Sequence, residues 1–383
     1  MSLSKKRVLS VLAAALLVIL CAVPAMANDG EPEFQDIGGA VNASELAADK
    51  IIRLNADTVL TLDADKTIFY ISGNGYTLTV QGDCGLTFNE ISVGRIIVNG
   101  GKLNATFPND EEGTVIGMRA DDIEINGGEI TASLPIVAET LTVNGGVIRA
   151  SGYLPICADH MTVTGGRVYT ANFAGIGGTW SWTGMIYGCD FNMSGGYVEA
   201  KGVSSSDDDW SVGAAFAGAN ITGGVFVAEG SVTAVNSWDV PITTGENMKL
   251  LYPADGYVSP EQTDSEKAEY GWSGYSILNA DGTRATKVVI APKDASDVTV
   301  EDADTGETLS YVYADGCVTV TGDISEDSPV FAALYDESGR MLSCRILLSP
   351  DTLDAAGAAS AKLIWLDSAG YIAKSQCIDI DIS

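Results

Sequence analysis

Leu141-Thr142-Val143-Asn144-Gly145-Gly146-Val147-Ile148-Arg149-Ala150 alternates apolar and polar side chains on both sides of a glycine pair. A period of two is the signature of a strand with one face buried. The glycine pair interrupts the alternation, because glycine accepts positive φ and lets another backbone approach closely. Asparagine, which precedes the pair, is a residue that hydrogen-bonds nearby backbone at corners. The stretch therefore reads as strand, corner, strand. A unit this short cannot bury its apolar face alone and needs neighbours stacked above and below it.

Those neighbours are in the chain. Ile96–Ala105, Ile123–Ala132, Met161–Thr170, Phe191–Ala200 and Ala219–Ala228 repeat the pattern, which makes six units. The residues before the glycine pairs are Asn99, Asn126, Asn144, Thr164, Ser194 and Thr222, spaced by 27, 18, 20, 30 and 28 positions. The short spacings set a basic coil of 18–20 residues, and the long ones carry insertions at 107–114, 177–190 and 203–211. A second short strand recurs within the coils, at Val115–Gly117, Pro135–Val137, Pro155–Cys157, Ala174–Gly177 and Val212–Ala214. Self-similarity at this scale means a stacked array; a propeller would need units of about 40 residues. The expected architecture is an all-β, right-handed parallel β-helix, a Gly-Gly repeat solenoid with backbone hydrogen bonds running between rungs.

Outward from the repeat, Val59–Leu62, Tyr76–Val80 and Leu86–Phe88 read as earlier, irregular rungs, and Ser44–Lys50 as a short capping helix. The repeat fades after Gly230, and 231–292 read as a closing region, so the β-helix spans 28–292. Residues 293–383 read as a separate domain. Seven short candidate strands lie there: Val298–Val300, Leu309–Tyr313, Cys317–Thr321, Val330–Tyr335, Met341–Leu348, Ala361–Leu366 and Cys377–Ile382. That density of strands and turns predicts a small immunoglobulin-like β-sandwich.

The first 27 residues read as a signal peptide: Lys5-Lys6-Arg7, an apolar run from Val8 to Val23, and the cleavage box Ala25-Met26-Ala27. The expected protein is secreted to the extracellular space or the cell surface, with no membrane insertion after cleavage. An uncleaved anchor is the rival reading. The formal charge is −30, and removing three basic residues with the signal leaves −33. Nucleic acid is excluded as a partner by that charge, since phosphate binding needs Lys and Arg. The six remaining cysteines, Cys84, Cys157, Cys189, Cys317, Cys344 and Cys377, show no metal-ligand spacing and read mostly as small apolar residues, with a disulfide left open.

The Φ-x-Φ-[Asn/Thr/Ser]-Gly-Gly-x-Φ-x-Ala units, with Ala174-Gly-Ile-Gly-Gly178 and Leu78-Thr-Val-Gln-Gly82, resemble the extracellular carbohydrate-binding domain-containing β-helix proteins of Firmicutes over roughly 55–230. That group is related to the clostridial calcium- and polygalacturonate-binding β-helix family. Val330–Leu342 with Lys362–Asp367 is similar to a small β module at the ends of Firmicutes surface proteins. The resemblance implies a surface location and binding of a polysaccharide or glycoconjugate, with Ca²⁺ as the implied cofactor. No ligand-binding residue of the family matches a position here.

In-register stacking would align the outward residues of successive units. After the glycine pair these run Lys102, Glu129, Val147, Arg167, Tyr197, Val225, and two positions further Asn104, Thr131, Arg149, Tyr169, Glu199, Val227. Arg149, Arg167, Tyr169, Tyr197, Glu199 and Lys201 then converge on one face. Tyrosine faces stack on sugar rings and arginine forks onto carboxylates, which makes this a candidate platform for acidic glycan; plain cross-strand pairing is the alternative. Trp180, Trp182 and Trp210 in the insertions are further glycan candidates, or else small cores of their own loops. Asp110, Glu111, Glu112, Asp207, Asp208 and Asp209 are candidate Ca²⁺ ligands, or ordinary solvated loops.

Catalysis is less favoured. A hydrolase triad would rest on His160 alone, and Asp121-Asp122 matches only one part of a polygalacturonase site. A lyase would need Arg149, Arg167 or Lys201 as its base. The function expected first is carbohydrate binding, then a structural or adhesive spacer, then a polysaccharide lyase or glycosidase.

Overall fold

A computed structural model of the chain describes residues 33–105, 117–151, 155–171, 174–176, 189–202, 212–253, 255–260, 263–264, 273–293, 296–301, 308–314, 316–322, 324–325, 327–366 and 377–382. The described residues are almost wholly β. One sheet has 23 strands, and two further sheets have four each. No helix among them is long and apolar enough to cross a membrane. The signal peptide lies outside the described residues, as do the insertion residues 107–114, 177–188 and 203–211.

Each Gly-Gly unit supplies a long strand before the corner and a short one after it, as in Ile136–Val143 and Val147–Ala150. Both pair in parallel with the corresponding strands of the next unit: Leu141 lies opposite Met161, and Val147 opposite Arg167. The register continues downward to Ile123 and upward to Phe191 and Ala219. Sequence separated Pro135–Val137 from Leu141–Val143, but the structure joins them into one bent strand. Glu139 and Thr140 both face outward in succession, and this slip in the alternation marks the bend.

The inward rows are apolar. Ile96, Ile123, Leu141, Met161, Phe191 and Ala219 follow one another through the stack, all buried in one continuous core. Burying a side chain of Leu or Ile size contributes roughly 2 kcal/mol. The last coils are filled by aromatic packing, with the Phe191 and Phe216 rings stacked at 4.8 Å and Phe226 against both.

The two glycines do different work, most plainly at Gly145 and Gly146. A Cβ on Gly145 would stand 2.5 Å from the Asn126 carbonyl oxygen, so the corner of one unit sits directly on the corner below. Gly146 has φ +72°, a left-handed conformation that side chains resist. The corner asparagines bond one another rather than nearby backbone. Asn126 Nδ2 donates to Asn99 Oδ1 at 3.0 Å, Asn144 Nδ2 to Asn126 Oδ1 at 2.9 Å, and Thr164 Oγ1 to Asn144 Oδ1 at 2.7 Å.

At the amino end, the expected helix over 44–50 is replaced by one 3-10 turn, Ala43–Glu45. Asp63 from the next rung accepts from both the backbone and the hydroxyl of Ser44 and holds the turn over the open end, with Ala43 and Leu46 buried beneath. At the other end the closing region ends in Lys287–Pro292. This strand runs antiparallel to Phe226–Glu229 and to Met248–Tyr252, which stops the parallel stack.

Residues 296–382 form two four-stranded antiparallel sheets around one shared core that includes Leu309, Val318, Val330, Leu363 and Trp365. All seven expected strands are present. An eighth, Asp351–Asp354, was not foreseen, because two aspartates in four residues leave no alternating apolar pattern to read. None of the six cysteines forms a disulfide. Cys157 and Cys189 are buried as expected of small apolar residues, whereas Cys344 and Cys377 are exposed.

Candidate functional site

Parallel pairing places the candidate platform residues in two adjacent columns. One runs Gly85, Lys102, Glu129, Val147, Arg167, Tyr197, Val225. The other runs Thr87, Asn104, Thr131, Arg149, Tyr169, Glu199, Val227. Five of the six platform residues stand in these columns, and Lys201 follows two positions after Glu199, opposite Ala171. The Arg149 guanidinium lies over the Tyr169 ring at 4.6 Å, and the Tyr169 and Tyr197 rings are 5.5 Å apart. Tyr197 donates its hydroxyl to Glu199 at 2.8 Å, and Lys201 Nζ pairs with the other oxygen of Glu199 at 2.7 Å.

The surface expected to be open to sugar is nevertheless covered in its upper half, which corrects the platform as drawn from sequence. Tyr197 and Glu199 are buried, at 3% and 4% exposure. Tyr197 packs in an apolar seam with Val225, Val227, Val289, Ala291 and Val312, the last from the carboxy-terminal pair of sheets. The reason is chemical: toward the end of the stack the columns turn from polar residues to valines, and that face needs a cover. Arg167 is not free either. Its Nη1 bonds Asp351 Oδ1 at 2.6 Å, and Arg345 of the carboxy-terminal sheets takes the other oxygen at 2.8 Å.

Burial sets the electrostatics of the seam. It pushes the Tyr169 phenol up to about 12, with Asp351 and Glu199 adding in the same direction and Arg167 and Arg149 opposing. Tyr197 is held well above the ordinary tyrosine range by burial and then by the neighbouring Glu199 carboxylate. The Tyr169 hydroxyl is buried with no hydrogen-bond partner among the described residues.

The lower half of the same face is open. Asp65, Lys66, Thr67, Gly85, Thr87, Lys102 and Asn104 line a shallow polar groove there. Asp65 accepts from the Gly85 backbone at 2.7 Å and fixes the groove wall. Lys66 and Lys102 form no ion pair among the described residues. Sequence reasoning placed Lys102 in an outward column but did not single it out. It passed over Lys66 altogether, because Lys66–Thr67 is a two-residue strand without a Gly-Gly corner.

Trp180, Trp182 and Trp210 lie outside the described residues, as do the Ca²⁺ candidates Asp110, Glu111, Glu112, Asp207, Asp208 and Asp209. Among the described residues no group of three or more His, Cys, Asp or Glu side chains is arranged to hold a metal. His160 Nδ1 faces Asp190 Oδ2 at 3.2 Å on an exposed bend, a contact between successive rungs.

No protein-family model matches the chain, and no curated protein matches it. Among solved structures, an endonuclease/exonuclease/phosphatase from Beutenbergia cavernae DSM 12333 is 12% identical over 36% of each chain, with a TM-score of 0.18. A likeness that slight carries no argument about fold or function.

Proposed function

We propose that this chain is a secreted or cell-surface protein that binds carboxylate-bearing polysaccharide along the open half of its repeat face. In this reading residues 1–27 are a cleaved signal peptide. The parallel stack is a right-handed parallel β-helix over 28–292, and 293–383 form an immunoglobulin-like sandwich. The observation that carries the reading is the groove: two lysines without ion-pair partners among the described residues, beside Thr67, Thr87 and Asn104, on a chain of net charge −30. Cations in a groove of so acidic a protein favour an anionic ligand, and hydroxyl and amide groups beside them suit sugar hydroxyls. Calcium enters this reading only through the loop carboxylates 110–112 and 207–209.

A glycan array probed with residues 28–383 tests it. Binding to uronate-containing glycans is expected to weaken about tenfold, roughly 1.4 kcal/mol, in the Lys66→Ala/Lys102→Ala double variant. It should also fall with added salt, since exposed charges are screened. Retention confined to neutral glycans, or equal retention by the double variant, would contradict it. The second reading is a rigid spacer. It is favoured by the burial of Tyr197 and Glu199 under the sandwich, which uses part of the repeat face for packing. Silence across the whole array would leave that reading standing.

A further inference from the structure

The two ends of the Arg167–Asp351 contact belong to different parts of the chain. Arg167 rises from the repeat face, and Asp351 begins the sandwich strand Asp351–Asp354. Around the contact, Val312 is the one sandwich residue in the described apolar seam. Ionic contacts between units of a chain exchange with other partners more readily than apolar packing does, and motion between such units is the default expectation.

What lies beneath the sandwich has the chemistry of a binding site. Arg167 already holds a carboxylate at 2.6 Å. Beside it stand the Tyr169 ring, backed by the Arg149 guanidinium at 4.6 Å, and a buried Tyr169 hydroxyl with no partner. Leaving such a hydroxyl unsatisfied is unfavourable, a cost that the closed arrangement bears and an incoming hydroxyl would relieve. Lifting the sandwich strands no charge on its own side, because Arg345 stays with Asp351 at 2.8 Å. Arg167 is left needing an anion.

We propose that Arg167 and Tyr169 form a second, closed subsite for a carboxylated sugar, and that Asp351 occupies it as an internal substitute for the ligand's carboxylate. A carboxylate of the ligand takes the place of Asp351 on Arg167, the sugar ring lies on Tyr169, and a sugar hydroxyl meets the Tyr169 phenol. The identity of the ligand rests on the acidic-polysaccharide reading above; the displaceable contact does not. Because the competitor is tethered, its effective concentration is high, and ligand affinity at this subsite is lowered by the closed fraction.

The experiment uses Asp351→Asn in the full mature chain, which keeps the side-chain shape and removes the charge. Site-resolved nitration of tyrosines by tetranitromethane reads the cover without any sugar. Tyr169 should be modified about tenfold faster in Asp351→Asn than in the unmodified chain. Arg167→Gln, which breaks the same contact from the other side, should raise it as well. Oligogalacturonate should then bind Asp351→Asn about tenfold more tightly than the unmodified chain, with Arg167→Gln abolishing the gain and a malto-oligosaccharide of equal length showing none. Equal nitration of Tyr169 in all three proteins would overturn the displaceable cover, whatever the sugar result. Faster nitration without tighter oligogalacturonate binding would overturn the subsite, while binding by the unmodified chain would still uphold the open groove. Absence of binding by every variant would remove the groove reading as well.

Discussion

The corner column and the arginine–tyrosine columns come from the same six units and the same register, yet they have opposite fates. The corner column repeats one chemistry, Asn99, Asn126, Asn144 and Thr164, and its members satisfy one another in a ladder of hydrogen bonds. The outward columns change chemistry at every rung, from Lys102 through Arg167 to Val225. A column that repeats stabilises the stack and stays at the surface. A column that drifts from polar to apolar acquires a cover where it turns apolar, here Val289, Ala291 and Val312. Register says which side chains are neighbours. It does not say what comes to lie on top of them.

The sharpest break in the corner column is Gly146→Ala. The new Cβ would sit 2.7 Å from the Gly128 carbonyl oxygen at φ +72°. A stability loss of about 3–5 kcal/mol is expected in urea unfolding, since neither the backbone below nor the left-handed conformation can yield cheaply. Gly39→Ala is the control: its φ is +73° but nothing lies within 4 Å of the new Cβ. Only the conformational cost of about 1 kcal/mol should appear there. Equal losses at the two sites would mean that the corners are not in close contact.

In the covered columns, Lys201→Ala should cost about 3 kcal/mol, because it strands a carboxylate whose side chain is 5% exposed. Adding Glu199→Gln should recover much of that loss in a double-mutant cycle, as it removes the stranded charge. Independent, additive effects would show that the pair does not interact.

The seam also fixes a pH dependence. Tyr169 is raised from its ordinary 10.0 to about 12, and Tyr197 moves in the same direction. The folded state therefore holds these protons more tightly than the unfolded chain does. The corresponding stability is fully present below pH 10 and is lost as pH rises toward 12. Urea midpoints measured across that window should fall less steeply for Tyr169→Phe/Tyr197→Phe than for the unmodified chain. Parallel slopes would place both phenols in solvent. The smallest effect is expected from Asn144→Ala, about 1 kcal/mol for two exposed ladder bonds, one accepted and one donated.

Much of this arrangement was legible in the sequence, for identifiable reasons. The period-two alternation beside Gly145-Gly146 carries the strands, and the repetition of that pattern carries the register from Leu103 to Phe226. The bend at Glu139–Thr140 was missed because two adjacent polar residues read as a loop rather than as a slip within one strand. Asp351–Asp354 was missed because its aspartates disguise it, and with it went the partner of Arg167. The cover over Tyr197 joins residues separated by more than a hundred positions with no shared pattern, a relation that periodicity does not encode. The groove lysine at position 66 sits on an irregular early rung, where the repeat gives no column to follow.

The in-register stack is tested most directly by a distance. Thr79 and Asn220 stand in one outward column, six rung steps apart through Ile97, Glu124, Thr142, Thr162 and Asn192. At about 4.8 Å per step their separation is about 29 Å. Spin labels on Thr79→Cys and Asn220→Cys, with the exposed Cys344 and Cys377 changed to serine, should give a single dipolar distance near that value, broadened by the label arms. A distance below about 20 Å or above about 40 Å would contradict six parallel steps at that spacing.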